Sequence, residues 1–418
     1  MNDWPWVRLK DIVELTVGFP FRSDEYSNDP SDVRLLRGDN VSQGTLQWSA
    51  AARWPVVDAQ RFATYALDEG DVVLAMDRPW IEAGLKWARI RPSDTPALLV
   101  QRVARLRSDR KMDQRFMSYV IASPAFTSYV RGVQTGTAVP HISASQILSF
   151  EFQAPPVEEQ VAIAATLGGL DDKIELNRKA SATLEELARA VFMSLFGMLD
   201  PKRLPVGWKA ATLGDLVDVT RGLSYNGAGL ADEGIPLHNL DSIYEGGGYK
   251  YEGLKHYRGE YKDRHVVRAG DLLVANTEQG FDHLLIGFPA LVPQLSGERG
   301  LFSHHLYRVR PKTGSPLTNY FLYLALMSPR LRQVIVGYSN GTTVNMLPAD
   351  SLQRPRLAVP PEDLIHRFDQ TVEPLFVKQE QLQLESETLA QLRDLLLPKL
   401  ISGEIRLKEG HEAAAEAN

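Results

Sequence analysis

The 418-residue chain contains no cysteine, so disulfide bridges, thiolate metal sites and thiol nucleophiles are excluded. It also has no run of 18 apolar residues and no basic N-terminal stretch followed by an apolar segment. We therefore expect neither a membrane-spanning helix nor a secretory leader. Together these absences predict a protein of a reducing compartment, with the cytoplasm as its location.

Motifs of several common enzyme classes are missing as well. There is no Gly-Lys dipeptide to form a P-loop, no Asn-Pro-Pro-aromatic tetrapeptide of amino-methyltransferases and no His-Glu-x-x-His zinc motif. His304 and His305 are adjacent, and adjacent residues of a strand point to opposite faces, so we expect no metal site there. The sequence predicts a chain without catalysis or a metal of its own.

Two sets of charged residues could suggest catalysis but have simpler interpretations. Asp71 and Asp271 follow a glycine and precede an apolar run, which is ordinary turn chemistry, so we interpret both as structural. Asp77, Glu82 and Lys86 lack the close spacing of a nuclease site and have no counterpart later in the chain.

The charge is distributed unevenly. The net charge of −6 disfavours a general polyanion binder, because non-specific affinity for nucleic acid comes from Lys and Arg. Counted by segment, the net charge is 0 for residues 1–156, −3 for 157–199, +2 for 200–355 and −5 for 356–418. The first and third segments can therefore present a basic face, which permits DNA binding without establishing it.

An internal repeat with a spacing of about 205 residues organises the chain. Trp6 and Trp208 lie just ahead of the first pair of matching segments, residues 9–18 and 213–222. Six matches in the same order at nearly one spacing predict that one structural plan is used twice. The matches join residues 9–18 to 213–222, 70–75 to 270–275, 105–107 to 308–310, 116–124 to 321–329, 135–139 to 340–344 and 155–156 to 360–361.

A helical segment follows the Pro-Pro pair that ends each copy. Its apolar residues recur at steps of four and three, the spacing of a coiled-coil seam, and proline suits a helix start. Breakers at equivalent positions, Gly168-Gly169 and Pro374, predict a kink in each helix. The predicted seam contains Leu170, Ile174, Asn177, Ser181, Leu184, Ala188, Val191 and Leu195 in the first helix, and Leu375, Gln379, Leu382, Ser386, Leu389, Arg393, Leu396 and Leu400 in the second.

The predicted fold class is α/β (α+β), with two globular domains separated by two long helices that pair as an antiparallel coiled coil. Polar residues in the seam would fix the register of that pairing. The alternative is that each helix packs only on its own globular half. The predicted boundaries are residues 1–155 and 200–359 for the globular domains, 156–199 and 360–405 for the helical regions, and 406–418 for a disordered acidic tail.

Residues suited to base edges and phosphates concentrate where the two copies differ most. Arg can make two hydrogen bonds to guanine, and Asn or Gln can make two to adenine. Two copies with one scaffold and different contacts would read two short sequences. The candidate DNA-binding residues are Arg22, Arg34, Arg37, Asn40, Arg78, Trp80, Lys86, Thr137 and His141 in the first copy, and Tyr225, Asn226, Asn239, Asn276, Gln279, His283, Thr342 and Asn345 in the second.

The sequence resembles the specificity subunits of type I restriction-modification systems over nearly its whole length. The resemblance rests on residues 136–142 (GTAVPHI), 155–160 (PPVEEQ), 170–178 (LDDKIELNR) and 396–405 (LLPKLISGEI). The second junction departs from the family pattern. Residues 344–347 (VNML) lack the Pro-His-Ile of the first junction, and residues 362–364 (EDL) replace Glu-Glu-Gln, so the second partner contact is expected to differ in detail.

The resemblance implies two target-recognition domains, each reading one half of a split site in double-stranded DNA. It also implies that the chain has no catalysis and binds no cofactor. Two methyltransferase subunits would use S-adenosylmethionine, and two restriction subunits would use ATP and Mg²⁺. A seam of about 27 residues is roughly 40 Å long, or about 12 base pairs, and could act as a ruler. The alternative is a coiled-coil scaffold that binds only proteins.

Overall fold

A computed structural model of the chain describes residues 3–109, 111–136, 139–197, 199–279, 282–294, 299–341 and 344–407. The fold mixes helices and strands, as the sequence predicts. It divides into two compact units, residues 1–174 with 387–418 and residues 175–386. The predicted boundaries set the helices apart, whereas here each unit combines one globular half with parts of both long helices.

The first unit is built around a five-stranded sheet. Its strands, in order across the sheet, are Val13–Val17, Val103–Ser108, Val72–Ala75, Trp87–Arg89 and Gln43–Gly44. A second sheet has the order Ala97–Leu99, Val33–Leu36 and Arg53–Trp54, and two ribbons pair Trp6–Arg8 with Glu151–Gln153 and Trp80–Ile81 with Gly84–Leu85. The α-helices of its globular half are Val56–Ala59, Gln114–Ala122, Pro124–Val133 and Ala144–Leu148.

The second unit repeats this plan. Its main sheet has the order Val217–Arg221, Leu306–Pro311, Leu272–Ala275 and Pro289–Leu291. A second sheet has the order Leu230–Ala231, Lys255–Tyr257, Ile235–His238, Gly300–Phe302 and Val266–Val267, and two ribbons pair Lys209–Thr212 with Arg356–Val359 and Thr277–Gln279 with Val344–Met346. The α-helices of its globular half are Leu213–Leu216, Asn319–Met327 and Pro329–Val336.

The order of strands confirms the repeat. In each unit the first strand of the main sheet pairs antiparallel with its second, Val13–Val17 with Val103–Ser108 and Val217–Arg221 with Leu306–Pro311. That second strand also pairs antiparallel with the third, which is Val72–Ala75 in the first unit and Leu272–Ala275 in the second. One detail of the sequence alignment was wrong. Trp6 pairs with Gln153 and Ala210 pairs with Ala358, so Trp6 is equivalent to Ala210. The tryptophan that matches Trp208 is therefore Trp4, which is buried.

A glycine is required at one equivalent position of each unit. A Cβ atom on Gly18 would lie 2.2 Å from the carbonyl oxygen of Val100, and one on Gly222 would lie 2.2 Å from that of Ser303. The backbone segments approach too closely for any side chain. The glycine that ends the first matched segment of each copy is thus fixed by packing between two segments of backbone.

The two long helices span Val157–Phe196 and Glu362–Ile401, and each begins directly after its Pro-Pro pair, as predicted. Neither Gly168-Gly169 nor Pro374 ends a helix. Gly168 instead admits a neighbour, because a Cβ atom there would lie 2.1 Å from the guanidinium carbon of Arg115. Arg115 donates from Nη2 to the Gly168 carbonyl oxygen (2.8 Å) and to Asp172 Oδ1 (2.6 Å).

Both helices contribute to both hydrophobic cores. The core of the first unit includes Ile163 and Leu167 from the first helix and Leu400 from the second. The core of the second unit includes Phe192 and Phe196 from the first helix, together with Ile365, Phe368 and Val372 from the second. The alternative in which each helix packs only on its own half is therefore wrong.

Within the second unit the two helices pair antiparallel. Asn177 is buried and donates from Nδ2 to Glu385 Oε2 (2.9 Å), Ser386 Oγ (3.3 Å) and the carbonyl oxygen of Leu382 (3.4 Å). Further along, Gln379 Nε2 donates to the Ser181 carbonyl oxygen (2.8 Å). Residue 177 thus meets residue 382, its own equivalent in the repeat, at the centre of a local pseudo-twofold.

Within the first unit, Asp171 Oδ1 accepts a hydrogen bond from Arg393 Nη1 (2.8 Å), which joins the two helices there. The predicted seam is buried or half-buried except at its end, where Leu195 is 40% exposed. Phe192 and Phe196 take the inward positions instead. An α-helix has 3.6 residues per turn, so a strict seven-residue pattern drifts around it, and here the helix faces a globular core as well as its partner.

Candidate nucleic-acid interface

In each unit, two residues on either side of a junction loop exchange backbone hydrogen bonds. In the first unit the backbones of Thr135 and His141 exchange two hydrogen bonds, of 2.8 and 2.7 Å between N and O. In the second, Asn340 and Met346 do the same, at 3.0 and 2.9 Å. Gly136 and Gly341 adopt φ angles of +91° and +139°, which favour glycine. These loops carry the junction residues of the repeat.

Each loop meets the ends of two core strands. In the first unit the Met76 N–H donates to the Arg102 carbonyl oxygen (2.8 Å), and the Ile142 N–H donates to the Met76 carbonyl oxygen (2.9 Å). In the second, the Asn276 N–H donates to the His305 carbonyl oxygen (3.0 Å), and the Leu347 N–H donates to the Asn276 carbonyl oxygen (2.8 Å). We call these places the strand-end sites, formed by residues 76, 77, 102 and 141 in the first unit and by residues 276, 277, 305 and 346 in the second.

The strand-end site of the first unit is an ionic cluster. Asp77 Oδ1 lies 2.6 Å from His141 Nδ1, and both Asp77 carboxylate oxygens lie 3.0 Å from Arg102 Nη1. Burial raises the pKa of Asp77, but the hydrogen bonds from His141 and Arg102 outweigh it and leave that pKa below its ordinary value. Asp77 therefore stays ionised and holds two side chains in place.

Four candidates from the sequence gather around this cluster. Arg78 is exposed, with φ at +45°, and its N–H donates to the Pro140 carbonyl oxygen (2.6 Å). The hairpin that follows contains Trp80 and places the Lys86 N–H 2.7 Å from the Pro79 carbonyl oxygen. Burial lowers the pKa of Lys86. With His141, these residues form one polar surface.

The remaining candidates of the first unit make contacts within the chain. Arg22 is exposed and forms an ion pair with Asp24 (2.6 Å, Nη2 to Oδ2). Arg34 lies over the Trp48 ring and donates to two carbonyl oxygens of the 93–95 turn, and burial lowers its pKa. Asn40 is buried, and its Oδ1 accepts from the Arg37 N–H (2.9 Å).

In the second unit, Asn276, Gln279 and Asn345 come together at the strand-end site. Asn276 is fully buried, Asn345 is opposite Glu278 in the ribbon, and Gln279 is exposed beside Val344. The Glu278 carboxylate accepts hydrogen bonds from the N–H groups of Leu284, Leu285 and Ile286 and so shapes the loop.

The other candidates of the second unit are spread more widely. His283 adopts a φ of +52° in the loop shaped by Glu278, and its carbonyl oxygen accepts from Arg332. Asn226 is exposed, and Tyr225 packs edge-on against Tyr257 with ring centroids 6.1 Å apart. Asn239 is buried and donates from Nδ2 to the Gly253 carbonyl oxygen (2.7 Å). Thr137 and Thr342 lie outside the described residues.

Sequence reasoning missed Arg102, Arg131 and His305. Arg131 lies over the Trp80 ring, with its guanidinium carbon 4.4 Å from the ring centroid. Arg102 and His305 directly precede the last core strand of their units, at equivalent places of the repeat. A search of the repeat for positions where the two copies differ, extended to the residues before this strand, would have found both.

The interpretation of Asp71 and Asp271 as structural is confirmed. Asp71 accepts from Arg107 through both oxygens (2.5 and 2.8 Å) and from the Asp68 N–H (2.8 Å). Asp271 accepts in the same manner from Arg310 and from the Arg268 N–H. The hydrogen bond and ion pair with Asp71 raise the pKa of Arg107. The same turn and ion pair are thus conserved between the two units.

The expectation that His304 and His305 point to opposite faces was wrong. They lie in the turn before the strand, and their ring centroids are 3.9 Å apart. Burial lowers the pKa of both. Among the described residues, no group of three or more His, Asp or Glu residues is arranged to hold a metal ion.

A Gly-x-Ser-x-Gly pattern occurs at residues 337–341. It follows the helix Pro329–Val336 and leads into the junction loop, whereas a hydrolase nucleophile lies between a strand and a helix. Ser339 is therefore not a nucleophile elbow. Within the part of the chain that the structure describes, no helix combines the length and apolar character needed to cross a membrane.

Comparison with known proteins finds similarity to one family. The profile of the type I restriction modification DNA specificity domain matches residues 1–186. The MjaVIII specificity subunit of a type I restriction enzyme from Methanocaldococcus jannaschii is 31% identical over 205 residues, 49% of this chain and 48% of the relative, so the match spans about half of that relative's length. The MjaIX specificity subunit from the same organism is 26% identical over 323 residues, 70% of this chain and 69% of the relative.

The fold agrees with these sequence matches. The crystal structure of a type I restriction-modification S subunit from M. genitalium superposes with a TM-score of 0.54 over 96% of this chain and 97% of that chain, at 15% identity. The fold is thus shared over nearly the full length of both chains. The chain is thus similar to type I restriction-modification specificity subunits in sequence over part of its length and in fold over nearly all of it.

Proposed function

We propose that the chain is the DNA sequence-specificity subunit of a type I restriction-modification complex, and that each unit reads one half of a bipartite target in double-stranded DNA. The observation that carries this proposal is the pair of strand-end sites. Their backbone hydrogen bonds are the same in both units, whereas the side chains differ at every equivalent position. One scaffold with two sets of contacts suits two different half-sites.

The surface of the first strand-end site fits a nucleic-acid ligand. Arg78, Arg102 and Arg131 bring exposed guanidinium groups to one part of the first unit, and Trp80 adds an aromatic ring. Arginine contributes to both phosphate and base contacts, and direct contacts to base edges supply sequence information. For the other candidate residues, contact with DNA stays a prediction.

The long helices would set the spacer between half-sites and dock two methyltransferase subunits. Each helix spans 40 residues, which is about 60 Å at 1.5 Å per residue. Exposed apolar side chains, including Leu176, Leu187, Leu384 and Leu395, offer surface for partners. S-adenosylmethionine would bind to the methyltransferase subunits, and ATP and Mg²⁺ to two restriction subunits. The assembly would act in the cytoplasm, with no catalytic residue from this chain.

Deletion of this chain from its source organism tests the proposal. Sequencing that detects methylated adenine should show a bipartite motif that disappears on deletion and returns with the restored gene. A gel-shift with duplex DNA, with and without a co-expressed methyltransferase subunit, should show sequence-dependent binding that weakens with salt. An unchanged methylome together with no DNA binding in either form would favour the protein-only scaffold.

A further inference from the structure

The two strand-end sites differ in which hydrogen-bonding partner they offer. We propose that Arg102, positioned by Asp77, donates hydrogen bonds to a base edge in the first half-site, and that His305, positioned by Thr277, accepts one from a base edge in the second. This inference rests on the proposed function, since it names specificity-determining residues within the two reading units.

The geometry around Arg102 fixes one end of its guanidinium group and leaves the other end available. The backbone lies at φ +69°, and its carbonyl oxygen accepts from the Met76 N–H. Nη1 is held 3.0 Å from both oxygens of Asp77, while the side chain is 60% exposed. Among the described residues, Nε and Nη2 have no hydrogen-bond partner. These donors match the two acceptors that guanine presents in the major groove.

The charge of this cluster favours a base over a phosphate. The ionised Asp77 carboxylate offsets the charge of Arg102, and attraction to phosphate depends on uncompensated positive charge. A carboxylate that orients an arginine instead limits the directions in which the arginine can donate. Asp77 is therefore a positioning residue, and Arg102 is the group that would touch DNA.

The hydrogen bonds of the second site assign the proton of His305. Asn276 donates from Nδ2 to the His304 carbonyl oxygen (3.0 Å), so its Oδ1 is the acceptor that faces Thr277. Thr277 donates its hydroxyl proton to that oxygen (2.6 Å). The Thr277 oxygen can then only accept from His305 Nδ1, which lies 3.1 Å away and must carry a proton.

The second imidazole nitrogen of His305 is consequently an acceptor. Burial and the neighbouring His304 and Arg221 lower the pKa of His305, which favours the neutral ring. Among the described residues, Nε2 has no hydrogen-bond partner. In the major groove, the amino groups of adenine and cytosine are the donors that could meet it. The first site thus offers donors where the second offers an acceptor.

Selection from a randomised duplex DNA library tests this assignment. The full-length chain, co-expressed with its methyltransferase subunit, would be incubated with the library, and the bound sequences determined. Arg102→Ala and Asp77→Asn should each reduce discrimination at one position of the first half-site by about tenfold or more, with the second half-site unchanged. His305→Ala should do the same at one position of the second half-site only.

Matched variants separate base reading from other roles. Arg61→Ala is the control, because Arg61 is an exposed arginine of the same unit with its own acidic partner, Asp58. It should leave the selected motif unchanged. Arg102→Lys keeps the charge but loses the forked donor group, so it should also relax the motif. Thermal unfolding of each variant shows whether the fold is retained.

The outcomes are distinguishable. If the unaltered complex selects no motif, the proposed function fails. If it selects a motif but Arg102→Ala weakens binding to all sequences equally, Arg102 contacts phosphate and the inference is overturned. The inference also fails if folded Arg102→Ala and His305→Ala variants select the same motif with the same affinity as the unaltered complex.

Discussion

At the scale of single residues, Gly18 and Gly222 lie where two segments of backbone pack too closely for a side chain. A side chain at either position would overlap a carbonyl oxygen 2.2 Å away, and a backbone carbonyl cannot move as a flexible side chain can. The requirement is the same in both units because the local fold is the same. These two glycines therefore offer a direct test of the packing.

Gly18→Ala and Gly222→Ala should each lower the free energy of unfolding of their unit by about 1–3 kcal/mol or more, as other overpacked substitutions do. Denaturant unfolding followed by tryptophan fluorescence would measure the change. Gly132→Ala is the control, because Gly132 lies in a helix with nothing within 4 Å of the added Cβ atom. It should be neutral or slightly stabilising. Equal stability of all three variants would contradict the packing seen here.

A buried histidine makes the second unit sensitive to acid. His238 is fully buried, its Nδ1 lies 2.7 Å from the Tyr249 hydroxyl, and burial lowers its pKa to about 4. The unfolded chain takes up this proton near pH 6.5, whereas the folded chain resists it until about pH 4. Stability is therefore present above pH 6.5 and is lost as the pH falls from 6.5 towards 4.

His238→Gln should flatten the decline of unfolding stability over that pH range, measured as the urea midpoint at each pH. His265, His304 and His305 also have lowered pKa values and should leave part of the decline in place. The same substitution at His366, an exposed residue of the second long helix, serves as the control. A His238→Gln profile parallel to that of the unaltered chain would contradict the assignment.

Residue identity predicted the site only in part. Asn40, Asn239 and Asn276 were chosen because asparagine suits adenine, yet all three are buried and make hydrogen bonds inside the chain. Asparagine is also favoured in turns and caps, and the sequence does not separate these uses. Arg102 was missed because its importance comes from Asp77 and His141, which are distant in sequence and meet only in the folded unit.

At the scale of elements, the long helices were well predicted because their signals are local. Pro-Pro pairs mark both starts, and the four-three spacing runs through both segments. Their details depend on tertiary contacts. Gly168 admits the side chain of Arg115, and the kink expected at the glycine pair stays a prediction. Leu195 turns outward because Phe192 and Phe196 fill the core of the second unit.

Asn177→Leu should stabilise the pairing of the helices and loosen its register. Loss of a buried polar group would raise the unfolding temperature of the second unit by about 2–4 °C if the gain is about 1 kcal/mol. Because the chain has no cysteine, the pair Ser181→Cys and Gln379→Cys reports register through cross-linking with a short bifunctional reagent. We expect less cross-linking when Asn177→Leu is added. A lower unfolding temperature with unchanged cross-linking would mean that Asn177 stabilises the helix pair and does not fix its register.

At the scale of the whole molecule, duplication was the most informative property of the sequence. Six ordered matches predicted two equivalent folds, and four strands of the main sheet pair antiparallel in the same order in both units. The division into units was not predicted, because the matches show which segments are alike and not which segments pack together. The apolar faces of both long helices serve two cores, and only the folded chain shows this.

Insertion of one heptad into both long helices, after the equivalent residues Thr183 and Thr388, should lengthen the spacer of the methylated motif. Seven residues add about 10.5 Å, or about three base pairs, while both half-sites stay the same. Methylome sequencing would measure the spacer. The same insertion at Gly314, in an exposed turn, is the control and should change nothing. An unchanged spacer in the helix variant would refute a role of the helices as a ruler.

The first unit is made of two separate segments of the chain, and this determines which unit can be completed first during synthesis. The second unit is one uninterrupted stretch, residues 175–386, but the first is completed by residues 387–418, which place Leu397, Leu400 and Ile401 in its core. A ribosome therefore finishes the second unit before the first. At about 5–20 residues per second, the N-terminal half waits roughly 10–45 seconds with part of its apolar surface uncovered. The half that is translated first is the one that folds to completion last.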